Sequence, residues 1–171
     1  MSKNILIVFE GIDGSGKTTQ ANLLTEYIRY ALNKKVLLVQ EPGTTQLGNT
    51  IRRQLIYNKN SLFIETKLFL YLAVRSQLVR EVILPAFKDD TIVISDRFTL
   101  STETYQGLDS RLSELIKTGN EYSSCNIKPT ITYLLDLDIR QATHRKADLS
   151  CLTELEIINY DKSQHRMFAY S

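Results

Sequence analysis

Tryptophan is absent from this chain, cysteine occurs twice, and neither charge sign dominates: 21 lysines and arginines against 19 aspartates and glutamates leave a formal net charge of +2. Two cysteines, Cys125 and Cys151, are too few for a disulfide framework and lack metal-ligand spacing, so a reduced, cytoplasmic setting is expected. A charge this small, with no basic run interleaved with aromatics, argues against nucleic acid as a partner. No apolar run approaches the roughly 18–20 residues of a membrane-spanning helix. Ile5–Phe9 is too short for the apolar core of a signal peptide, so neither membrane nor export is expected. Glycine is scarce as well, seven in 171 residues, yet three of them crowd together at Gly11, Gly14 and Gly16.

What is present is ordinary for a globular chain: 43% hydrophobic and 23% charged residues, a composition and length that fit one domain over residues 1–171. The crowded glycines belong to Gly11-Ile12-Asp13-Gly14-Ser15-Gly16-Lys17-Thr18, a complete G-x-x-x-x-G-K-[ST] loop. It follows an apolar strand-like run and opens a helix-like stretch. In that context its amides wrap phosphate at a helix N-terminus. Lys17 supplies a mobile charge for the β- and γ-phosphates and the Thr18 hydroxyl suits Mg²⁺. Residues 11–19, ending at Thr19, form the expected ATP-binding segment.

Strand-like runs at Ile5–Phe9, Val36–Gln40, Thr91–Ser95 and Ile131–Asp136 alternate with longer helical stretches. The helices are expected at Lys17–Leu32, Leu47–Leu55, Ile64–Phe87, Leu100–Gln106, Ser110–Thr118, Ile139–Lys146 and Thr153–Phe168. This alternation predicts an α/β fold, a P-loop three-layer architecture with a parallel sheet of about four to five strands covered by helices on both faces. Ligands of such sheets sit beyond the C-terminal strand ends. Three polar clusters fall there and are expected to face one cleft: Asp13–Thr18, Glu41–Thr45 and Asp96-Arg97.

A phosphate loop alone leaves the reaction open. Arginines in unusual places narrow it. Arg75 falls on the apolar stripe of Ile64–Phe87 (Leu68, Leu72, Val79, Val82, Ile83), one turn after Tyr71. That pair reads either as an aromatic face and a guanidinium for a base, or as a snorkelling or ion-paired arginine beside a core tyrosine. Arg97, after the strand-terminal Asp96, is placed for a phosphate, and Arg52 offers a second fork. Ser101, Thr102, Tyr105 and Gln106 add polar groups to the following short helix.

These stretches resemble the thymidylate kinase family. The matching segments are Phe9–Gln20, Glu41-Pro42-Gly43-Thr44-Thr45 with Arg52, Tyr71–Arg75, Asp96-Arg97-Phe98-Thr99-Leu100-Ser101, Thr104-Tyr105-Gln106-Gly107 and Tyr133–Asp136, in order over about residues 3–145. The resemblance implies ATP-dependent phosphorylation of dTMP with Mg²⁺, in a cytoplasmic homodimer. It implies that Arg97 and Arg52 hold the dTMP phosphate, and that Asp13 serves the sugar 3′-hydroxyl and, with Thr18, the metal region. It further implies that Tyr71 stacks the base, Arg75 addresses its edge, Thr102 and Gln106 lie near it, and Tyr105 sits under the deoxyribose. Lys17, Arg97, Asp13 and Arg145 form the expected catalytic set. Arg145 enters because the loop's variable positions hold no basic residue and the lid-like stretch from Lys146 to Glu156 holds one lysine and no arginine. Thr44 stands where the family turn has a second glycine, Phe98 where a tyrosine or histidine is common, and the lid and C-terminal part are short for the family. Two alternatives remain at this point: a deoxynucleoside kinase with Glu41 or Asp13 as base, and a catalytically impaired nucleotide-binding relative.

Overall fold

A computed structural model of the chain describes residues 4–57, 62–107 and 109–146. The expected helix Thr153–Phe168, Cys151 and the lid-like stretch beyond Lys146 lie outside the described residues. Within them the elements follow the alternation read above: β1 (Leu6–Gly11), α1 (Lys17–Glu26), β2 (Val36–Gln40), α2 (Gln46–Tyr57), α3 (Ile64–Leu78), α4 (Leu84–Lys88), β3 (Ile92–Asp96), α5 (Thr99–Gln106), α6 (Ser113–Ser123), β4 (Ile131–Leu135) and α7 (Ile139–Lys146). A 3₁₀ turn, Ser110–Leu112, leads into α6.

The stretch Ile64–Phe87, expected as one regular helix, runs as α3, a wide π turn at Val79–Ile83 and α4. The same widening at Tyr27–Ala31 ends the helix that begins as α1.

The four strands are parallel in the order β2-β3-β1-β4. Strand alternation divides the core between two faces. Leu6, Val8, Val39 and Val93 point to one side and pack on Leu78, Val79, Ile83 and Phe87. Phe9 and Ile94 point to the other, with Ile7 and Leu38, and pack on Ala21 and Ile28. Side chains of this kind, taken fully out of water, contribute about 1.5–3 kcal/mol each. The three-layer expectation is met, with four strands among the described residues.

The same alternation aims the polar strand ends. Glu10 shares the face of Leu6 and Val8, and so meets α5. Asp96 shares the face of Ile92 and Ile94, and so meets the first turn of α1. The phosphate loop is fixed against the sheet from the far side. A Cβ on Gly11 would stand 2.6 Å from the Leu135 carbonyl oxygen, and one on Gly14 3.0 Å from that of Ala142. Both glycines carry positive φ, so a larger residue meets strain and a wall together.

Thr44 occupies left-handed backbone, φ 66°, in the turn after β2. The turn forms without the glycine because the threonine side chain closes it: Oγ1 accepts the Gln40 N–H at 2.8 Å. A left-handed L-residue costs roughly 1–2 kcal/mol, and one hydrogen bond returns about 0.5–1.5 kcal/mol. Thr44→Gly is therefore expected to leave stability almost unchanged, whereas Thr44→Val, which keeps the strain and loses the acceptor, lowers it by about 1 kcal/mol or more. Urea unfolding of the two variants checks this; equal losses would contradict the trade between strain and hydroxyl.

Candidate functional site

Three loops converge at the C-terminal ends of β1, β2 and β3, and hydrogen bonds join them. The Thr18 hydroxyl donates to Asp96 Oδ2 at 2.5 Å, tying the phosphate loop to the end of β3. The Glu41 N–H donates to the Asp96 carbonyl at 3.0 Å, tying in the turn after β2. Arg97 Nη2 pairs with Asp13 Oδ1 across the cleft. The expectation that the three polar clusters face one cleft is met.

The phosphate loop is folded around its own lysine. Lys17 Nζ donates to the Ile12 carbonyl at 2.7 Å and lies 4.0 Å from Asp13. Burial, and then the like charge of Arg97, push the amine down to about 8, against Asp13, Asp96 and Glu10. Arg145, on α7, reaches the Gly14 carbonyl from outside, with Nη1 at 3.4 Å. Its backbone partner is a weak one, and the side chain is exposed.

Arg97 is held in left-handed backbone, φ 75°. Such strain persists only where surroundings over-determine it, and here three contacts do. Its N–H donates to the Phe9 carbonyl at 2.9 Å, its carbonyl accepts from the Ser95 hydroxyl at 2.6 Å, and the next N–H, of Phe98, donates to Glu10 at 2.8 Å. The guanidinium then extends over the Tyr105 ring, 5.4 Å from its centroid, with Nη1 donating to Ser101 Oγ at 3.1 Å. Burial opposes its charge, but Tyr105, Asp13 and Glu10 together outweigh that and hold it protonated. Tyr71 sits in the same group: burial raises its hydroxyl pKa, and the charges acting on it are those of Arg97, Tyr105, Asp13 and Arg52. Arg52 donates to the Pro42 carbonyl at 2.8 Å, which orients it from the turn that contains the cis Glu41–Pro42 peptide.

Arg75 is different in kind. It is 1% exposed, and it donates through Nε to Glu41 at 2.8 Å, through Nη2 to the Phe98 carbonyl and Thr102 Oγ1, and through Nη1 to Asn120. Of the readings of this arginine, the ion-paired one is what the structure shows, with Glu41 as the partner, while enclosure of the side chain excludes snorkelling. Thr102, which accepts from Arg75, and Gln106 are both buried on α5, at 2% and 5% exposure.

Glu10, Asn120 and Asp96 are site residues to which sequence reasoning assigned no contact, and Glu41, considered there only as a base for the deoxynucleoside kinase alternative, is instead the partner of Arg75. Glu10 was visible as a carboxylate on the buried parity of an apolar strand, a placement that demands partners. It is fully buried and accepts from Phe98 N–H, Ser101 N–H and Ser101 Oγ–H. Desolvation raises its pKa and the Ser101 hydroxyl opposes. Among the described residues, three buried side-chain atoms lack a hydrogen-bond partner: Ser15 Oγ, Glu41 Oε1 and Asp96 Oδ1. Each sits on one of the three loops. Unsatisfied buried groups are uncommon and call for an explanation, and a polyphosphate with its hydrated cation supplies one for Ser15 and Asp96.

A phosphate loop facing a strained, phosphate-ready arginine across a parallel sheet defines a P-loop phosphotransferase. The family model for thymidylate kinase matches residues 9–169. The chain is 43% identical over 142 residues to the thymidylate kinase of Kosmotoga olearia, covering 82% of this chain and 68% of that one. It is 44% identical over 151 residues to that of Prochlorococcus marinus strain NATL1A, covering 84% and 72%. The crystal structure of thymidylate kinase from Ehrlichia chaffeensis superposes with a TM-score of 0.71 at 37% identity, covering 84% of this chain and 82% of that one. The chain belongs to the thymidylate kinase family. These matches lend no support to a deoxynucleoside kinase or an impaired relative. No helix among the described residues is long and apolar enough to cross a membrane.

The depressed Lys17 amine has a consequence for the unliganded protein. Between pH 8 and 10.5 the unfolded chain holds a proton at this lysine that the folded protein has released, so stability rises with pH across that window. Below pH 8 the fold carries the full cost of the buried charge. Lys17→Met is expected to flatten the rise in unfolding free energy from pH 8 towards 10; denaturant titrations measure it, and parallel profiles for the two proteins would contradict the shift.

Proposed function

We propose that this chain, as a single nucleoside monophosphate kinase domain, transfers the γ-phosphoryl group of ATP to dTMP, giving dTDP and ADP. The observation that carries the reading is the Asp13–Arg97 pair, which sets an acceptor-side arginine directly over the donor loop. In the reaction an acceptor phosphate oxygen forms a bond to Pγ while the bond from Pγ to the bridging oxygen breaks. The acceptor is already ionised, so no general base is needed. Positioning and charge neutralisation carry the rate. This fits a site whose two candidate bases are engaged by arginines: Glu41 by Arg75, and Asp13 by Arg97.

In this reading the amides of residues 11–19 and the Ser15 hydroxyl hold the donor phosphates, and Lys17 turns from the Ile12 carbonyl to the β- and γ-oxygens. Arg97 and Arg52 grip the dTMP phosphate, with Ser101 steadying Arg97. Tyr71 stacks the base, Arg75 meets its edge beside Thr102 and Gln106, and Tyr105 packs under the sugar. Asp13 takes the 3′-hydroxyl side. Arg145, already against the phosphate loop, supplies charge to the group in flight. Mg²⁺ keeps most of its waters and needs few protein ligands. The unpartnered Asp96 oxygen beside the Thr18 hydroxyl fits it, so Thr18, Asp96 and Asp13 are the residues that would hold it. When bound it neutralises charge on the donor phosphates. The reaction belongs in the cytoplasm with its substrates. A homodimer through α3, where Phe69 stands 57% exposed, is part of the same proposal.

ADP release measured over a panel of dTMP, dUMP, dCMP and thymidine tests the function; turnover of thymidine but not dTMP would overturn it. Two variants test the division of roles. Arg97→Lys keeps the charge but not the fork, and is expected to raise KM for dTMP and lower kcat with KM for ATP nearly unchanged. Arg145→Ala is expected to lower kcat with both KM values nearly unchanged, since an arginine stabilising the transferring group can contribute about 10³–10⁵ in rate. A defect confined to ATP affinity in either variant would contradict the assignment.

A further inference from the structure

Arg75 has five N–H donors, and the structure accounts for four. Nε–H goes to Glu41 Oε2 at 2.8 Å. The two hydrogens of Nη2 face the Phe98 carbonyl at 2.9 Å and Thr102 Oγ1 at 3.0 Å, with Glu41 Oε2 2.7 Å from the same nitrogen. One hydrogen of Nη1 goes to Asn120 Oδ1 at 2.7 Å. Among the described residues the other Nη1 hydrogen has no acceptor. A planar guanidinium pinned at four of its five donors has the direction of the fifth fixed.

The acceptor on Nη1 is itself held. Asn120, on α6, is 5% exposed. Its Nδ2 donates to Glu103 Oε1 at 3.2 Å and to the Thr99 carbonyl at 3.4 Å, both on α5. The amide can face only one way. Arginine offers donors alone, and the glutamate and the carbonyl offer acceptors alone, so Oδ1 must turn to Arg75 and Nδ2 to α5. Asn120 also forms a wall. On its far side a groove of about 560 Å³ opens between α5 and α6, lined by Thr99, Glu103, Ile116, Lys117 and Asn120. The Asn120 side chain thus touches the groove as well as Nη1.

We propose that Asn120, set by Glu103, is the positioning residue that leaves Arg75 one directed N–H and so determines the choice of pyrimidine. The proposal rests on the reading that Arg75 meets the base edge. A single fixed donor there accepts thymine, which presents the O4 acceptor, and rejects cytosine, which presents an N4 donor. A looser guanidinium, or one with water at Nη1, loses that contrast. Asn120 touches no substrate in this account; it acts through Arg75, and Glu103 acts through Asn120.

Steady-state kinetics on dTMP and dCMP test it. Asn120→Leu keeps the volume and removes the acceptor. It is expected to raise KM for dTMP and to narrow the ratio of kcat/KM for dTMP over dCMP by about tenfold, the scale of a hydrogen bond to a charged group. KM for ATP should stay unchanged. The double variant Asn120→Asp with Glu103→Gln reverses the polarity of the α5–α6 bond while keeping an acceptor on Arg75, and is expected to recover most of the lost discrimination. If Asn120→Leu does not fold, Asn120→Ser, too short to span Arg75 and Glu103, carries the same test. A wild-type ratio in the folded single variant, or a double variant no better than it, overturns the proposal. Failure of the wild-type protein to prefer dTMP over dCMP instead overturns the reading of Arg75 on which it rests.

Discussion

One buried carboxylate holds the two halves of this site in register. Glu10 is fully enclosed, and a carboxylate taken from water is tolerated only when its oxygens are filled. Here they are filled by the start of α5: Phe98 N–H and Ser101 N–H on one oxygen, Ser101 Oγ–H on the other. The next residue along the chain is Gly11, the first of the phosphate loop. The strand that launches the phosphate loop therefore also fixes the turn that carries Arg97. Arg97 is left with its unusual backbone and its guanidinium over Tyr105 because both flanks of that turn are tied down.

In the proposed reaction the two arginines on the acceptor side divide the work by their solvation. Arg97 is partly open, paired with Asp13 and resting on Ser101, and these contacts can rearrange when an anion arrives. Arg75 is sealed, with Glu41 opposite and carbonyl and hydroxyl groups around it. A sealed, neutralised guanidinium suits a base edge, which is uncharged. A half-open one suits phosphate. The sheet makes this possible by sending alternate residues to opposite faces, so that Glu10 reaches α5 while Asp96 reaches Thr18.

Much of this was legible in the sequence because it is local. The glycine loop, the strand runs and the alternation of strand and helix depend on neighbours within a few residues, and the elements fall where that logic puts them. The convergence of the three loops followed from the general placement of ligands in parallel sheets. What was not legible depends on contacts between distant residues. Nothing near Asn120 in sequence announces that it completes the Arg75 network, 45 residues away, or that Glu41 rather than solvent neutralises that arginine. The π turn at Tyr27–Ala31 likewise carries no glycine or proline signal, whereas the one at Val79–Ile83 precedes Pro85, whose missing N–H removes the bond to the Glu81 carbonyl. Glu10 falls between the two: its burial was implied by strand parity, its partners were not. Thr44 shows a rule of propensity overridden by a single side-chain bond.

The central claim is that Arg97 binds the acceptor phosphate in a pose imposed by Glu10. A double-mutant cycle on the dissociation constant of dTMP, measured by calorimetry without ATP for Glu10→Gln, Arg97→Lys and the pair, tests it most directly. Residues acting through one network couple by about 0.5–3 kcal/mol, whereas independent ones add to within about 0.3–0.5 kcal/mol. The account predicts that the second substitution costs little once the first is made, giving a coupling of about 1 kcal/mol or more. Full additivity, with each substitution weakening dTMP binding by the same factor in either background, would contradict it.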